Sequence, residues 1–166
     1  MKRINYLQII IHFIATYFFG FSATIFSRLY NLRILKIILE NGIDNVIHNS
    51  EKYKISTMDM WNFSFSTQIS SVIGIFIAIL ISITISIKKK WSIINSFIVL
   101  LISFTLKKVG LLSWIWNQLM PFVCPGKYMS NLKLNILISG IFLLSIGCLL
   151  FFSKKLNLKI GKYSKY

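Results

Sequence analysis

Negative charge is nearly absent from this sequence. Four acidic residues, Glu40, Asp44, Glu51 and Asp59, stand against 19 lysines and arginines, and all four fall between residues 28 and 62. No carboxylate lies inside any long apolar run. That excludes a proton relay or a cation-coupled transporter of the usual kind, which needs an acid within the membrane. Cysteine is equally scarce. Cys124 lies in a loop and Cys148 well inside the last apolar run, roughly 20 Å away at 1.5 Å per helical residue. A disulfide needs Cα atoms within about 7 Å, so the two thiols do not pair, and there is no C-x-x-C to act as a redox couple. His12 and His48 have no second histidine or carboxylate at ligand spacing, so no metal is expected. G-x-S-x-G, the P-loop and the glycine-rich dinucleotide turn are missing as well. The chain is expected not to be an enzyme and to carry no cofactor.

Apolar surface is what the sequence has in excess. Of 166 residues, 55% are apolar and only 14% charged, against roughly 25% charged in an average soluble domain. A water-soluble chain this short cannot bury so much, because small domains hide the smallest share of their surface. The net charge of +15 does not form one face of a polar domain; the lysines sit at the edges of apolar runs, which reads as membrane flanks and excludes nucleic acid as a partner. Four runs, 4–27, 64–87, 92–113 and 133–153, meet or approach the roughly 20 residues that cross a hydrocarbon core of about 30 Å. The first follows Lys2 and Arg3 but exceeds the roughly 7–15 residues of a signal-peptide core and lacks a small-x-small cleavage site, so it is read as a retained helix.

One stretch argues locally against helix. In ISITISIKKKW, residues 81–91, isoleucine alternates with serine and threonine as in a half-buried strand. A membrane strand needs a closed barrel and recurring alternation, which 4–27 and 133–153 do not show. Upstream, Thr67, Ser71, Gly74, Ala78 and Ser82 recur at helical spacing, and in lipid the cost of unbonded backbone outweighs the weak strand preference of isoleucine. The hydroxyls are expected to bond carbonyls of the preceding turn. The expected fold is an all-α integral membrane protein: one membrane domain, 1–166, built as a four-transmembrane-helix bundle.

With both termini inside, the cytoplasmic cations are Lys2, Arg3, Lys88, Lys89, Lys90 and tail lysines 154, 155, 159, 162 and 165, ten against nine in the outer segments. Dense clusters beside short loops dominate the positive-inside rule, so both termini are placed in the cytoplasm. The richness in Ile, Lys, Asn and Phe is that of an AT-rich genome, so a bacterial inner membrane is the first expectation and an organellar inner membrane the second. The outer segment 28–62 begins with RLYNLRILKIILENG, which puts Leu32, Leu35, Ile38 and Leu39 on one face of an interfacial amphipathic helix. Docking of a partner is the sharper reading of that helix. Asn41-Gly42 stops it. Trp61, Trp91, Trp114 and Trp116 fall at span ends as an aromatic belt, Pro125-Gly126 marks a turn, and the basic tail 154–166 suits anionic lipid headgroups.

Two groups of residues stand out as sites. Gly20, Ala23, Ser71, Gly74, Ala78, Ser82, Ser103 and Gly110 belong to small or polar stripes that let helices pack closely. Lys107, about 24 Å along the third span from Trp91, lies near the outer boundary, where Gln68, Lys108, Asn135 and Asp59 form a polar cluster with it. Such a cluster suits an anionic headgroup or a partner's carboxylate; the bland alternative is a lysine snorkelling to water. The first functional expectation is a noncatalytic accessory or scaffold subunit, in contact with the bilayer and with a membrane partner or further copies of itself. Lipid or small-anion handling at Lys107 is the second, and a holin-like pore the third.

Overall fold

In a computed structural model, residues 4–128 and 130–163 are described, the side chains of 120–123, 127, 128 and 163 being left aside. Lys2, Arg3 and Lys165, counted above among the inner cations, lie outside the described residues. Every regular element among the described residues is helical. Asn5 opens α1 (Tyr6–Ser27), its side-chain oxygen accepting from the Gln8 N–H. A 3-10 turn (Arg28–Asn31) leads into α2 (Leu32–Asn41), which ends at Gly42 with φ +79°. After α3 (Ile43–His48), Ser56 and Asp59 form a reciprocal capping box that starts α4 (Thr57–Lys88). Then come α5 (Ile94–Lys108), α6 (Leu111–Val123), a 3-10 turn (Pro125–Tyr128), α7 (Leu132–Phe152), capped by Asn131, and α8 (Lys154–Tyr163).

Three helical stretches, Tyr6–Asn41, Thr57–Lys88 and Leu132–Phe152, are long and apolar enough to cross a membrane. Ile94–Lys108 and Leu111–Leu119 reach that standard only as a pair, bent by 84°. The third run, expected as one span over 92–113, is therefore broken. The break has a local cause. Gly110 takes the left-handed conformation, φ +77°, its N–H and that of Val109 close the last turn onto Lys107 and Thr105, and two lysines end the apolar sequence there. At Gly110, expected in the packing stripe, an added Cβ would meet nothing within 4 Å, so the residue serves the turn instead.

The ISITISI stretch lies wholly within α4. Thr84 donates to the Leu80 carbonyl and Ser86 to that of Ser82, at 2.8 Å each, as expected, whereas the Ser82 hydroxyl departs from the expectation and meets Ser96 and His12 on neighbouring helices. Lys90 then reverses the chain with φ +58°, and the Trp91 N–H closes onto the Ser86 carbonyl at 2.8 Å.

Helix α1 is central, touching α4, α5 and α7. Small residues permit this. A Cβ on Gly74 would fall within 3.0 Å of Phe19, Ala23 and Gly20, and one on Gly147 would strike the Phe19 ring. Ala15, Ala78, Val99, Leu143 and Phe151 are fully buried. At one end, here the terminal end, Ile160 of α8 is buried beside Trp91 and Phe151. At the far end α2 packs inward through Ile34 and Leu35. Leu39, expected on its apolar face, is 64% exposed, because the α2 surface that meets the bundle is centred one residue earlier in each turn. Cys124 and Cys148 are free thiols, and Cys124, read from sequence as a plain loop residue, is buried beside Trp116, Ile136 and Leu143. That burial pushes its thiol pKa up.

Candidate functional site

A cavity of about 300 Å³ opens in the far half of the bundle, between α1, α4, α5 and α6. Its polar lining follows from spacing. On α1, residues 16, 20 and 24 and then Arg28 recur every four residues; on α4, Thr67 and Ser71 do so; on α5, 103 and 107 do so. Residues four apart share a helix face, so each helix turns one polar stripe toward the cavity. Helix α6 closes one side with Leu112, Ser113, Trp116 and Asn117. It is held there by the Tyr17 hydroxyl, which donates to the Leu112 carbonyl at 3.1 Å, and by the Phe21 ring stacked 4.1 Å from Trp116.

Two cations line this cavity, and no carboxylate does. Lys107 Nζ donates to the Gln68 carbonyl at 3.1 Å. Arg28, at the end of α1, forms no ion pair among the described residues, whose one salt bridge joins Lys36 to Glu40 at 3.8 Å. Thr24 and Thr67 satisfy their hydroxyls on the carbonyls of Gly20 and Ser64. Thr16 and Ser103 do not. Both are buried, both line the cavity, and their hydroxyl oxygens have no hydrogen-bond partner. Buried polar atoms are normally satisfied, and both of these orphans belong to residues that line the one cavity.

Of the cluster expected from sequence, Lys107 and Gln68 meet at this cavity, while Lys108, Asn135 and Asp59 do not line it. Lys108 is exposed, Asn135 packs its backbone against Gly126, and Asp59 is engaged by Ser56 as a helix cap. From the packing stripe, Gly20, Ser71 and Ser103 face the cavity, whereas Ala23, Gly74 and Ala78 make helix contacts. Sequence reasoning missed Arg28, which was counted only as a loop cation. Continuing the four-residue step from His12 through Thr16 and Gly20 reaches Arg28 and would have found it.

A second polar cluster, with Ser82 in it, fills the interior nearer the terminal end. Gln8 Nε2 donates to Ser86 Oγ at 2.8 Å, and Asn95 Nδ2 donates to Gln8 Oε1 at 2.7 Å. Ser82 and Ser96 share a hydrogen bond of 2.7 Å, and His12 Nδ1 lies 2.6 Å from Ser82 Oγ. Rings of Phe151 and Trp91 flank the imidazole at 5.1 and 6.2 Å. The network ties α1, α4 and α5 together in a fixed register, a role suited to side-chain hydrogen bonds between membrane helices. Among the described residues no group of three or more His, Cys, Asp or Glu is placed to hold a metal.

Among the described residues the fold is all-helical, and its three to four helices of spanning length and apolarity are consistent with a helical membrane protein. In comparisons with protein families, curated proteins and solved structures, nothing matches this chain.

Proposed function

We propose that this is a noncatalytic four-span membrane protein that holds the anionic headgroup of a phosphate-bearing amphiphile in the cavity between Arg28 and Lys107. The carrying observation is the composition of the lining: two cations without a carboxylate, above two buried hydroxyls without partners. Guanidinium and ammonium groups recognise phosphate, with the guanidinium able to bond two oxygens at once. Phe13, Tyr17, Phe21, Ile75 and Leu112 supply an apolar wall for the rest of such a molecule. The volume is at the lower end of the range for small-ligand sites, enough for a headgroup.

In this reading the bent pair α5–α6 is the fourth span, α2 and α6 lie along the outer interface, and both termini are cytoplasmic in a bacterial inner membrane. Lys88, Lys89, Lys90 and the described tail lysines gather at the terminal end, which supports that orientation. An accessory subunit that keeps a lipid for a larger assembly is compatible with the same site. The filled interior, with Ala15, Ala78 and Val99 fully buried, weighs against a holin-like pore within one chain.

The test is retention of phosphate-bearing lipids by the purified chain in native mass spectrometry. Lys107→Ala and Arg28→Gln should each lower retention about tenfold, as loss of a charge-assisted bond of roughly 1.5 kcal/mol would. Gln68→Ala, which keeps the carbonyl that Lys107 uses, should have a smaller effect. Retention equal to wild type in both cation variants, with helicity preserved, ends the proposal.

A further inference from the structure

The terminal end carries a second basic feature, independent of the cavity just described. Lys88, Lys89 and Lys90 follow α4, and Lys154 and Lys162 belong to α8, yet all five line one open groove of about 970 Å³. These lysines are not a loose solvated run. The Lys90 turn is fixed by backbone bonds on both sides of its left-handed residue. Helix α8 is anchored to the bundle: Asn5 Nδ2 donates to the Ile160 carbonyl at 2.9 Å, Asn157 Nδ2 to the Phe151 carbonyl at 3.1 Å, and the Ile160 side chain is fully buried.

The fold therefore holds two lysine clusters face to face, which in isolation is repulsive. Among the described residues no carboxylate relieves this, since Glu40, Asp44, Glu51 and Asp59 all lie at or beyond the opposite end of α4, about 40 Å or more away along a 32-residue helix. A further observation points to an occupant. Asn157 lines the groove, and its Oδ1 is buried without a hydrogen-bond donor. Among the described residues no O–H or N–H reaches that atom. Beside it Phe152 and Leu158 are 60% and 70% exposed, apolar surface next to cationic surface.

We infer that this groove binds a glycerophospholipid whose headgroup joins phosphate to a free hydroxyl. The lysines take the phosphate oxygens, Asn157 Oδ1 accepts the headgroup hydroxyl, and the acyl chains run along Phe152 and Leu158. A choline headgroup has the phosphate but offsets its charge with a fixed cation and brings no hydroxyl.

Site-resolved photocrosslinking tests this. The full-length chain is reconstituted into phosphatidylcholine vesicles containing a minor fraction of photoactivatable phosphatidylglycerol, or of the matching phosphatidylcholine probe. Crosslinks are then mapped by peptide, so that a product near residues 85–91 and 152–162 is distinct from one at the cavity. The phosphatidylglycerol probe should label these segments at least about tenfold more than its choline counterpart, given on the order of 1 kcal/mol per basic residue. K88Q/K89Q/K90Q and K154Q/K162Q should each remove most of that excess. The corresponding lysine-to-arginine sets, which keep charge and control for folding, should preserve it, and Lys36→Gln at the far end should change nothing. Equal labelling by both probes, wild-type labelling in both glutamine sets, or suppression by millimolar inorganic phosphate would each overturn the assignment; the last result would identify a soluble anion as the occupant.

Discussion

Gly74→Ala adds one methyl group where α4 and α1 come closest. Its carbon would lie 2.6 Å from the Phe19 carbonyl oxygen, 2.8 Å from the Ala23 Cβ and 3.0 Å from the Gly20 Cα. Carbon contacts are comfortable at about 3.5–4.0 Å, and none of these three atoms sits on a rotatable side-chain end. The helices must therefore separate by the better part of an ångström. Overpacking of this kind costs about 1–3 kcal/mol, and backbone partners place it in the upper half, about 2–3. Alanine's better helix propensity returns about 1 kcal/mol, leaving a net loss of about 1–2 kcal/mol. For a chain of this size that lowers the thermal midpoint by roughly 2–8 °C. The assay is thermal unfolding in detergent, followed by circular dichroism, with Gly20→Ala as the comparison. A Cβ at Gly20 first meets Ile75 Cγ1 at 3.2 Å, a side-chain atom able to yield, so the propensity gain should offset the contact and leave stability near wild type. If Gly74→Ala unfolds no earlier than wild type, or Gly20→Ala proves the more damaging of the two, the close approach of α1 and α4 is wrong.

Three other perturbations address separate parts of the structure. Gln8→Ala and Asn95→Ala each break the buried network and should cost about 1–2 kcal/mol; because the residues bond one another, the double variant should cost at least about 0.5 kcal/mol less than the sum, read from a double-mutant cycle in detergent unfolding. Ser56→Ala removes the capping box of α4 and should cost about 0.5–2 kcal/mol, visible as faster hydrogen exchange at the amides of 59 and 60 with the centre of α4 unchanged. Gly110→Ala meets no atom within 4 Å but must hold φ +77°, so it should lower stability by about 1 kcal/mol, while Asn at the same position is better tolerated; equal stability of all three would contradict the left-handed turn.

The sequence by itself determined the all-helical class and the three long apolar helices. Long uncharged runs at helical spacing oblige the backbone to bond within each segment, which is why ISITISI is helical despite its alternation. It also separated Lys107 and Gln68 from the bulk of the polar residues, since spacing along a helix fixes the level at which a side chain sits. Tertiary structure decided everything that depends on which helices are neighbours. Arg28 joins Lys107, and Gln8 meets Asn95 87 residues away, because α1 runs through the centre of the bundle, a position no periodicity encodes. The 84° break after Lys108 escaped the sequence for a related reason: Gly110 permits the left-handed turn but is also tolerated within a membrane helix, and the packing of α6 against Tyr17 and Phe21 adds to the local cause. Composition and period are local quantities; a cavity is made by surfaces that the chain brings together only on folding.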